Sequence, residues 1–132
     1  MQYQSKLNRQ QLVDLVVTRY FANIDRKDLD ATLACFHDTA LFTVQTSFAF
    51  HEGKESIRRM FADLFARYSS IQHRDFNCTV DAKNGRIAAN YITELVSGDG
   101  ARLSYSNTNF WRVREDRFQE VYVYVSGVIS RA

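Results

Sequence analysis

The 132-residue sequence contains no proline, and no apolar run approaches the roughly 20 residues that cross a membrane. Without proline, no strand is interrupted by a missing backbone donor. The two cysteines, Cys35 and Cys78, have neither CxxC spacing nor histidines placed around them as in a metal site. We therefore expect two buried, reduced thiols, with no disulfide and no bound metal.

A strong excess of charge of one sign is also absent. The sequence has 17 lysines and arginines against 15 aspartates and glutamates, which gives a net charge of +2. Because the basic residues are scattered, we expect no nucleic-acid partner. The first four residues, Met1-Gln2-Tyr3-Gln4, lack the charged and apolar regions of a signal peptide, so we expect a cytoplasmic protein with no membrane partner.

The length suits a single domain over residues 1–132, with residues 1–7 as a flexible N-terminus. Apolar side chains at helical spacing predict three helices. Asn8 and Gln11 form the capping box of the first helix, whose apolar positions are Leu12, Leu15, Val16, Tyr20 and Ile24. The second contains Leu29, Leu33 and Phe36. The third follows Glu52-Gly53 and contains Ile57, Met60, Phe61, Leu64, Phe65 and Tyr68.

The rest of the chain reads as β-structure. Residues 40–46 predict one strand between the second and third helices. Between residues 71 and 129, runs of β-branched and aromatic residues are separated by Asn84-Gly85, Gly98-Asp99-Gly100 and Glu115-Asp116, which predicts four antiparallel strands joined by hairpins. We therefore expect an α+β domain in which helices cover a strongly curved antiparallel sheet, with an aromatic-lined cavity between them.

Loop lengths decide which side chains share the inner face of the sheet. A two-residue Asn84-Gly85 turn, followed by three-residue loops at residues 98–100 and 114–116, gives a mostly apolar face. Its polar members are all neutral: Tyr91, Thr93, Tyr105, Asn107, Asn109 and Trp111. The last strand adds Val121, Val123 and Val125. The outer face is aromatic at Phe110, Tyr122 and Tyr124, which suggests that another subunit covers it.

The sequence also allows two-residue loops at the last two hairpins, and this alternative changes which residues face inward. A two-residue loop at the first of them would turn Glu94 inward beside Tyr105, as a candidate general base. A two-residue loop at the second would place Tyr122 and Tyr124 on the inner face instead of the valines.

Residues 28–40, 52–58 and 110–118, which read DLDATLACFHDTA, EGKESIR and FWRVREDRF, resemble the nuclear transport factor 2-like superfamily, in particular its SnoaL-like and ketosteroid isomerase-like branch. The resemblance covers nearly the whole chain. It implies a cone-shaped α+β barrel, with the pocket between helices and concave sheet, and a homodimer formed through the outer sheet faces. Family members include isomerases, cyclases, dehydratases, epoxide hydrolases and binding domains, so the resemblance leaves the activity open.

The same resemblance assigns roles to single residues. Tyr20 looks like the helix-one tyrosine that stabilises an oxyanion in the isomerases. The position of their general-base aspartate falls at Val44, and that of their protonated aspartate falls at Asn109, so the usual base is missing. The cyclases' acidic residue on the last strand is missing too. His73 lies near a dehydratase histidine, but strict alternation points it outward unless a bulge intervenes.

We therefore predict a protein that binds a small hydrophobic molecule, aromatic or polycyclic, and that needs no cofactor or metal. The expected ligand contacts are Tyr20, Val44, Phe61, Tyr91, Tyr105, Asn107, Asn109, Trp111 and Val123. The first alternative is a cofactor-independent isomerase, cyclase or dehydratase using Tyr20 and Asn109, with His73 or Glu94 as further catalytic candidates. The second is a structural dimerisation domain.

Overall fold

The computed structural model describes residues 3–131. Helix α1 (Arg9–Asp14) continues without a break into a π-helical segment (Leu15–Phe21) and then into α2 (Ala22–Asp25). Helices α3 (Leu29–Leu33) and α4 (Lys54–Arg67) follow. The predicted capping box is present, because Asn8 Oδ1 accepts from the Gln11 N–H at 2.9 Å and Gln11 Oε1 accepts from the Asn8 N–H at 2.9 Å.

The π-helical segment explains how two consecutive aromatic residues both face the core. Tyr20 and Phe21 are only 2% and 3% exposed. In a regular α-helix, neighbouring side chains diverge by roughly 100° around the axis. The wider π turn admits one more residue per turn, a feature often found at functional sites. It brings both rings towards the sheet.

Six strands form one sheet, in the order β2-β1-β6-β5-β4-β3. Their bounds are β1 Phe36–Val44, β2 Ala49–Glu52, β3 Tyr68–Asp81, β4 Arg86–Ser97, β5 Arg102–Arg114 and β6 Arg117–Arg131. β1 and β6 are parallel, and the other neighbouring pairs are antiparallel. The four consecutive hairpin strands are confirmed. Phe36, predicted on the second helix, instead begins β1, and the short edge strand β2 was not predicted.

The predicted inner and outer faces of β4, β5 and β6 are confirmed, although two of the three loops differ from the prediction. Asp81 pairs with Arg86, so the first loop has four residues instead of two. Leu95 pairs with Leu103 and Ala89 with Asn109, as the three-residue loop at residues 98–100 requires. At the last hairpin, Arg114 pairs directly with Arg117, so the loop has two residues, and a bulge just after it restores the register. The three valines of β6 therefore share the inner face, and Tyr122 and Tyr124 lie on the outer face.

The core lies between the helices and the inner face of the sheet. Cys35 is buried there, and burial raises the pKa of its thiol to about 11. Cys78 is only half-buried, contrary to expectation, because β3 is an edge strand. The segment before α1 runs along the β5–β6 hairpin, where the Lys6 N–H donates to the Glu115 carbonyl at 2.8 Å. No helix in the described range is long and apolar enough to span a membrane.

Candidate functional site

A cavity of about 480 Å³ lies between the helices and the inner face of the sheet. The exposed side chains of Asp63 and Arg67, near the end of α4, belong to its wall and mark its mouth. All but one of the predicted ligand contacts line it: Tyr20, Val44, Phe61, Tyr91, Tyr105, Asn107, Asn109 and Val123. The wall is largely aromatic and aliphatic, as in pockets for small apolar ligands.

Trp111 is the exception, because it does not line the cavity. Its side chain is 1% exposed and lies in the filled part of the core, outside the cavity wall. Tyr20 and Phe21 cross its ring edge-on, with centroid distances of 6.3 and 5.8 Å. These rings occupy the space that a ligand would need.

His73 forms the most strongly organised polar group of the cavity wall, together with Asp25 at the end of α2. Its Nδ1 lies 2.6 Å from Asp25 Oδ1, and its backbone N–H donates to Asp25 Oδ2 at 2.9 Å. The Phe21 and Tyr91 rings lie beside the imidazole, with centroid distances of 4.6 and 5.6 Å. Because Asp25 occupies Nδ1, Nε2 is the ring nitrogen left for a ligand.

A bulge in β3 turns His73 inward, so its predicted outward orientation is wrong. Arg74 pairs with Ile92, but the next regular pair is Asn77 with Asn90, which leaves one extra residue in β3. Asp75 in this bulge has a φ of +59°. The extra residue shifts the alternation by one, so that His73 shares the inner face with Phe76, although two residues lie between them and regular alternation would place them on opposite faces.

Glu94 lies on the outer face and is excluded as a base in the cavity. Arg74 Nε donates to Glu94 Oε1 at 3.0 Å. The three-residue loop at residues 98–100 sets this orientation, because it places Thr93 and Leu95 inward. The register in which Glu94 would face the cavity is therefore not adopted.

Two asparagines organise the polar part of the β5 wall. The Tyr91 hydroxyl donates to Asn109 Oδ1 at 2.7 Å, and Asn107 Nδ2 donates to Thr93 Oγ1 at 3.1 Å. Burial raises the pKa of Tyr91, while its hydrogen bonds to Asn107 and Asn109 act in the opposite direction. The Tyr91 phenol is therefore protonated at neutral pH.

Tyr20 presents a second phenol to the cavity. Its hydroxyl has no hydrogen-bond partner within the described part of the chain. Burial, with smaller contributions from Tyr91 and Cys35, raises the pKa of Tyr20 well above its ordinary value. The hydroxyl is therefore a neutral donor available to a bound molecule.

Sequence reasoning missed two residues of this site, one that holds His73 and one that lines the cavity. Asp25 lies 48 residues before His73, and no local pattern connects them. His51 was not among the predicted site residues, yet it pairs with Phe42 in the β1–β2 hairpin and lines the cavity. His37 lies elsewhere, with its Nε2 2.6 Å from the Arg114 carbonyl oxygen. No group of three or more metal-ligating side chains occurs among residues 3–131.

The outer face of the sheet carries a row of aromatic side chains. Cross-strand pairing runs from Phe50 through Thr43 and Tyr122 to Phe110. Phe50, Phe110 and Tyr124 are 63%, 47% and 45% exposed. Phe110 and Tyr124 contact each other edge-on at 5.8 Å, beside a groove of about 550 Å³. We call these three exposed rings the outer aromatic patch.

The curved sheet, its helical cover and the enclosed cavity define an α+β barrel of the nuclear transport factor 2-like superfamily. The SnoaL-like domain model matches residues 17–121, and the chain belongs to this family. The expectation from the sequence motifs is thereby confirmed. No curated protein matches the chain in sequence.

Solved structures with the same fold share little sequence with this chain. A candidate polyketide cyclase from Xanthomonas campestris pv. campestris is 22% identical, with a TM-score of 0.80 and 91% and 93% of the two chains covered. A candidate aromatic ring hydroxylase from Novosphingobium aromaticivorans is also 22% identical, with a TM-score of 0.81 and coverage of 96% and 95%. An LEH-like epoxide hydrolase from M. tuberculosis is 13% identical, with a TM-score of 0.73 and coverage of 89% and 84%. These similarities establish the fold alone.

Proposed function

We propose that the cavity binds a small hydrophobic molecule, aromatic or polycyclic in shape, and that His73 exchanges a proton with it. The observation that carries this proposal is the contact of 2.6 Å between His73 Nδ1 and Asp25 Oδ1 at the wall of a largely apolar cavity. The reaction class is cofactor-independent acid–base chemistry, such as isomerisation, cyclisation or dehydration.

The Asp25 carboxylate favours the imidazole tautomer that carries its proton on Nδ1, because a carboxylate only accepts hydrogen bonds. Nε2 then has a free lone pair directed to the ligand side. A histidine held in this way by a carboxylate is the arrangement of a general base. It supplies the proton acceptor that Val44 and Asn109 cannot provide.

The wall also offers donors for the negative charge that such a step creates. If Nε2 removes a proton from the carbon beside a ligand carbonyl, the electron pair moves onto the carbonyl oxygen and forms an enolate. The Tyr20 hydroxyl and the Asn109 carboxamide, both buried, are the neutral donors for this oxygen. His73 then returns the proton to carbon. The names of the structural neighbours, a candidate polyketide cyclase and an epoxide hydrolase, agree with acid–base chemistry in this fold.

The test is deuterium exchange at the carbon atoms beside the carbonyl of 2-tetralone, a bicyclic ketone, in deuterated buffer. We expect the protein to accelerate exchange over buffer, with saturation in 2-tetralone. Naphthalene, which has no carbonyl, should inhibit by occupying the same cavity. Binding without acceleration would support the binding-only alternative, and an absence of binding to both compounds would contradict the proposal.

We also propose that two copies associate through the outer aromatic patch. Three exposed aromatic rings give this face more apolar surface than is typical of a sheet face that contacts only solvent. A two-fold axis through this face would bury each patch against its copy, as closed symmetry demands. A structural role as a dimerisation domain would use the same surface, but it would leave the His73–Asp25 pair unused.

A further inference from the structure

The His51 imidazole lies on the cavity wall with unused hydrogen-bonding capacity. His51 pairs with Phe42 across the β1–β2 hairpin. Phe42 lines the cavity, and directly opposite residues of an antiparallel pair point to the same side, so the imidazole is directed inward. Its two ring nitrogens have no hydrogen-bond or ion-pair partner within residues 3–131, and neither atom is closed off from solvent. The ring therefore offers two polar atoms to a molecule in the cavity.

His51 and His73 lie at opposite edges of the sheet. His51 belongs to the edge strand β2 and His73 to the edge strand β3, with four strands between them. The two histidines are connected by a row of aromatic rings that line the cavity: Phe42, Phe61, Tyr20 and Phe21.

This aromatic row is continuous. Successive ring centroids along it are 5.7, 6.2 and 4.8 Å apart. At its ends, the Phe42 centroid lies 6.3 Å from that of His51, and the Phe21 centroid lies 4.6 Å from that of His73. One wall of the cavity is therefore an aromatic surface with an imidazole at each end.

The two imidazoles differ in what holds them. Asp25 occupies Nδ1 of His73 and leaves Nε2 for the ligand. No charged group pairs with His51 in the described part of the chain, so neither of its nitrogens is committed. A neutral imidazole has one N–H donor and one lone pair. A hydroxyl group both donates and accepts, so it can pair with His51 in either tautomer, whereas a ketone or ether oxygen only accepts.

We propose that His51 binds a hydroxyl group at the end of the ligand remote from His73, so that the cavity takes an elongated, hydroxylated ring compound. This inference rests on the proposed binding function. The ring system of the ligand lies along the aromatic row, where flat rings make favourable face and edge contacts. An apolar group at the same end would leave the His51 nitrogens without water and without a partner, which is unfavourable. His51 then determines specificity, while His73 keeps its role in proton transfer.

Two matched ketones test this assignment by calorimetric titration: 6-(4-hydroxyphenyl)-2-tetralone and 6-(4-methylphenyl)-2-tetralone. Both have the same three-ring shape, and only the first can form a hydrogen bond at its far end. We expect the hydroxyl compound to bind the wild-type protein roughly three- to tenfold more tightly. The His51→Phe variant, which keeps a ring and removes both nitrogens, should lose this preference. Equal affinities in the wild-type protein, or a preference that survives in H51F, would overturn the assignment.

A second measurement does not depend on the variant folding. In the wild-type protein, the imidazole ¹⁵N signals of His51 should move further with the hydroxyl compound than with the methyl compound, because only the hydroxyl forms a hydrogen bond to the ring. The signals of His37, whose Nε2 lies 2.6 Å from the Arg114 carbonyl oxygen and outside the cavity wall, should stay in place with both. An identical response of His51 to both compounds would overturn the assignment.

The two proposals fail in different ways. Failure of both ketones to bind would contradict the proposed function. Binding of both with equal affinity would contradict only the role of His51.

Discussion

Asp25 holds His73 at two points, with one carboxylate oxygen 2.6 Å from the ring Nδ1 and the other 2.9 Å from the backbone nitrogen. The two contacts fix both the strand and the ring against the end of α2. The carboxylate at Nδ1 favours the tautomer protonated there, and the two contacts hold the ring in one direction. Asp25 itself does not line the cavity, so in the proposed function it is a positioning residue that acts through His73.

The Asp25→Asn variant should separate this positioning role from simple packing. An amide can present an N–H to Nδ1, which favours the tautomer protonated on Nε2 and removes the lone pair from the ligand side. We expect 2-tetralone exchange to slow by roughly 10- to 100-fold, with affinity little changed. The ¹⁵N chemical shifts of His73 should report the change of tautomer. Unchanged shifts and unchanged exchange would show that Asp25 does not set the proton position.

The proposed association through the outer aromatic patch predicts the molar mass of the protein in solution. Wild-type protein should have the mass of a dimer in light scattering at micromolar concentration, and the double variant F110S/Y124S should have that of a monomer. Phe48→Ser is the matched control, because Phe48 is 82% exposed but lies at the tip of the β1–β2 hairpin. A monomeric wild-type protein would contradict the proposed interface.

Gly85 should tolerate no side chain. Its φ is +63°, and a Cβ there would lie 2.6 Å from the Val113 carbonyl oxygen and 2.8 Å from Ser5 Cβ. Gly85→Ala should therefore lower the free energy of unfolding by roughly 2–4 kcal/mol in urea titrations. Gly98→Ala is the control, because a Cβ there meets no atom within 4 Å, and the change should stay within about 0.5 kcal/mol. Equal changes in the free energy of unfolding for the two substitutions would contradict the close approach of Gly85 to Val113 and Ser5.

Glu120 should make part of the stability dependent on pH. Burial acts to raise its pKa, but hydrogen bonds from Tyr122 and Tyr3 and the charge of Arg112 lower it overall. A pKa lowered by folding contributes stability above the unfolded value, and this contribution is lost as the pH falls through the folded value. The stability difference between wild type and Glu120→Gln should therefore shrink as the pH falls below about 4.3, the ordinary pKa of a glutamate. A difference that is constant from neutral pH downward would contradict this role.

Sequence patterns predicted the elements whose signals are local. Three such elements are encoded by residues that are close together in the sequence: the Asn8 capping box, the apolar stripe of the first helix with Tyr20, and the loop after Ser97 with its two glycines. The inner face of β5 followed from alternation once that loop was fixed. This is why Asn107 and Asn109 could be assigned to the cavity wall before the structure was known.

The features that could not be predicted depend on single insertions and on distant contacts. One extra residue at Asp75 reverses the alternation of β3, and the sequence there has no glycine to signal a bulge. His73 was therefore assigned to the wrong face. Asp25 belongs to a helix 48 residues earlier, and only the packing of α2 on β3 brings it to His73.

The most direct test of the central claim compares deuterium exchange of 2-tetralone by wild type, His73→Gln and Glu94→Gln. Glu94→Gln is the matched control, because this carboxylate lies on the outer face beside Arg74. The role of His73 as the base predicts that H73Q slows exchange by roughly 10²- to 10⁴-fold, while E94Q exchanges at the wild-type rate. Equal rates for wild type and H73Q would contradict the claim that His73 transfers the proton.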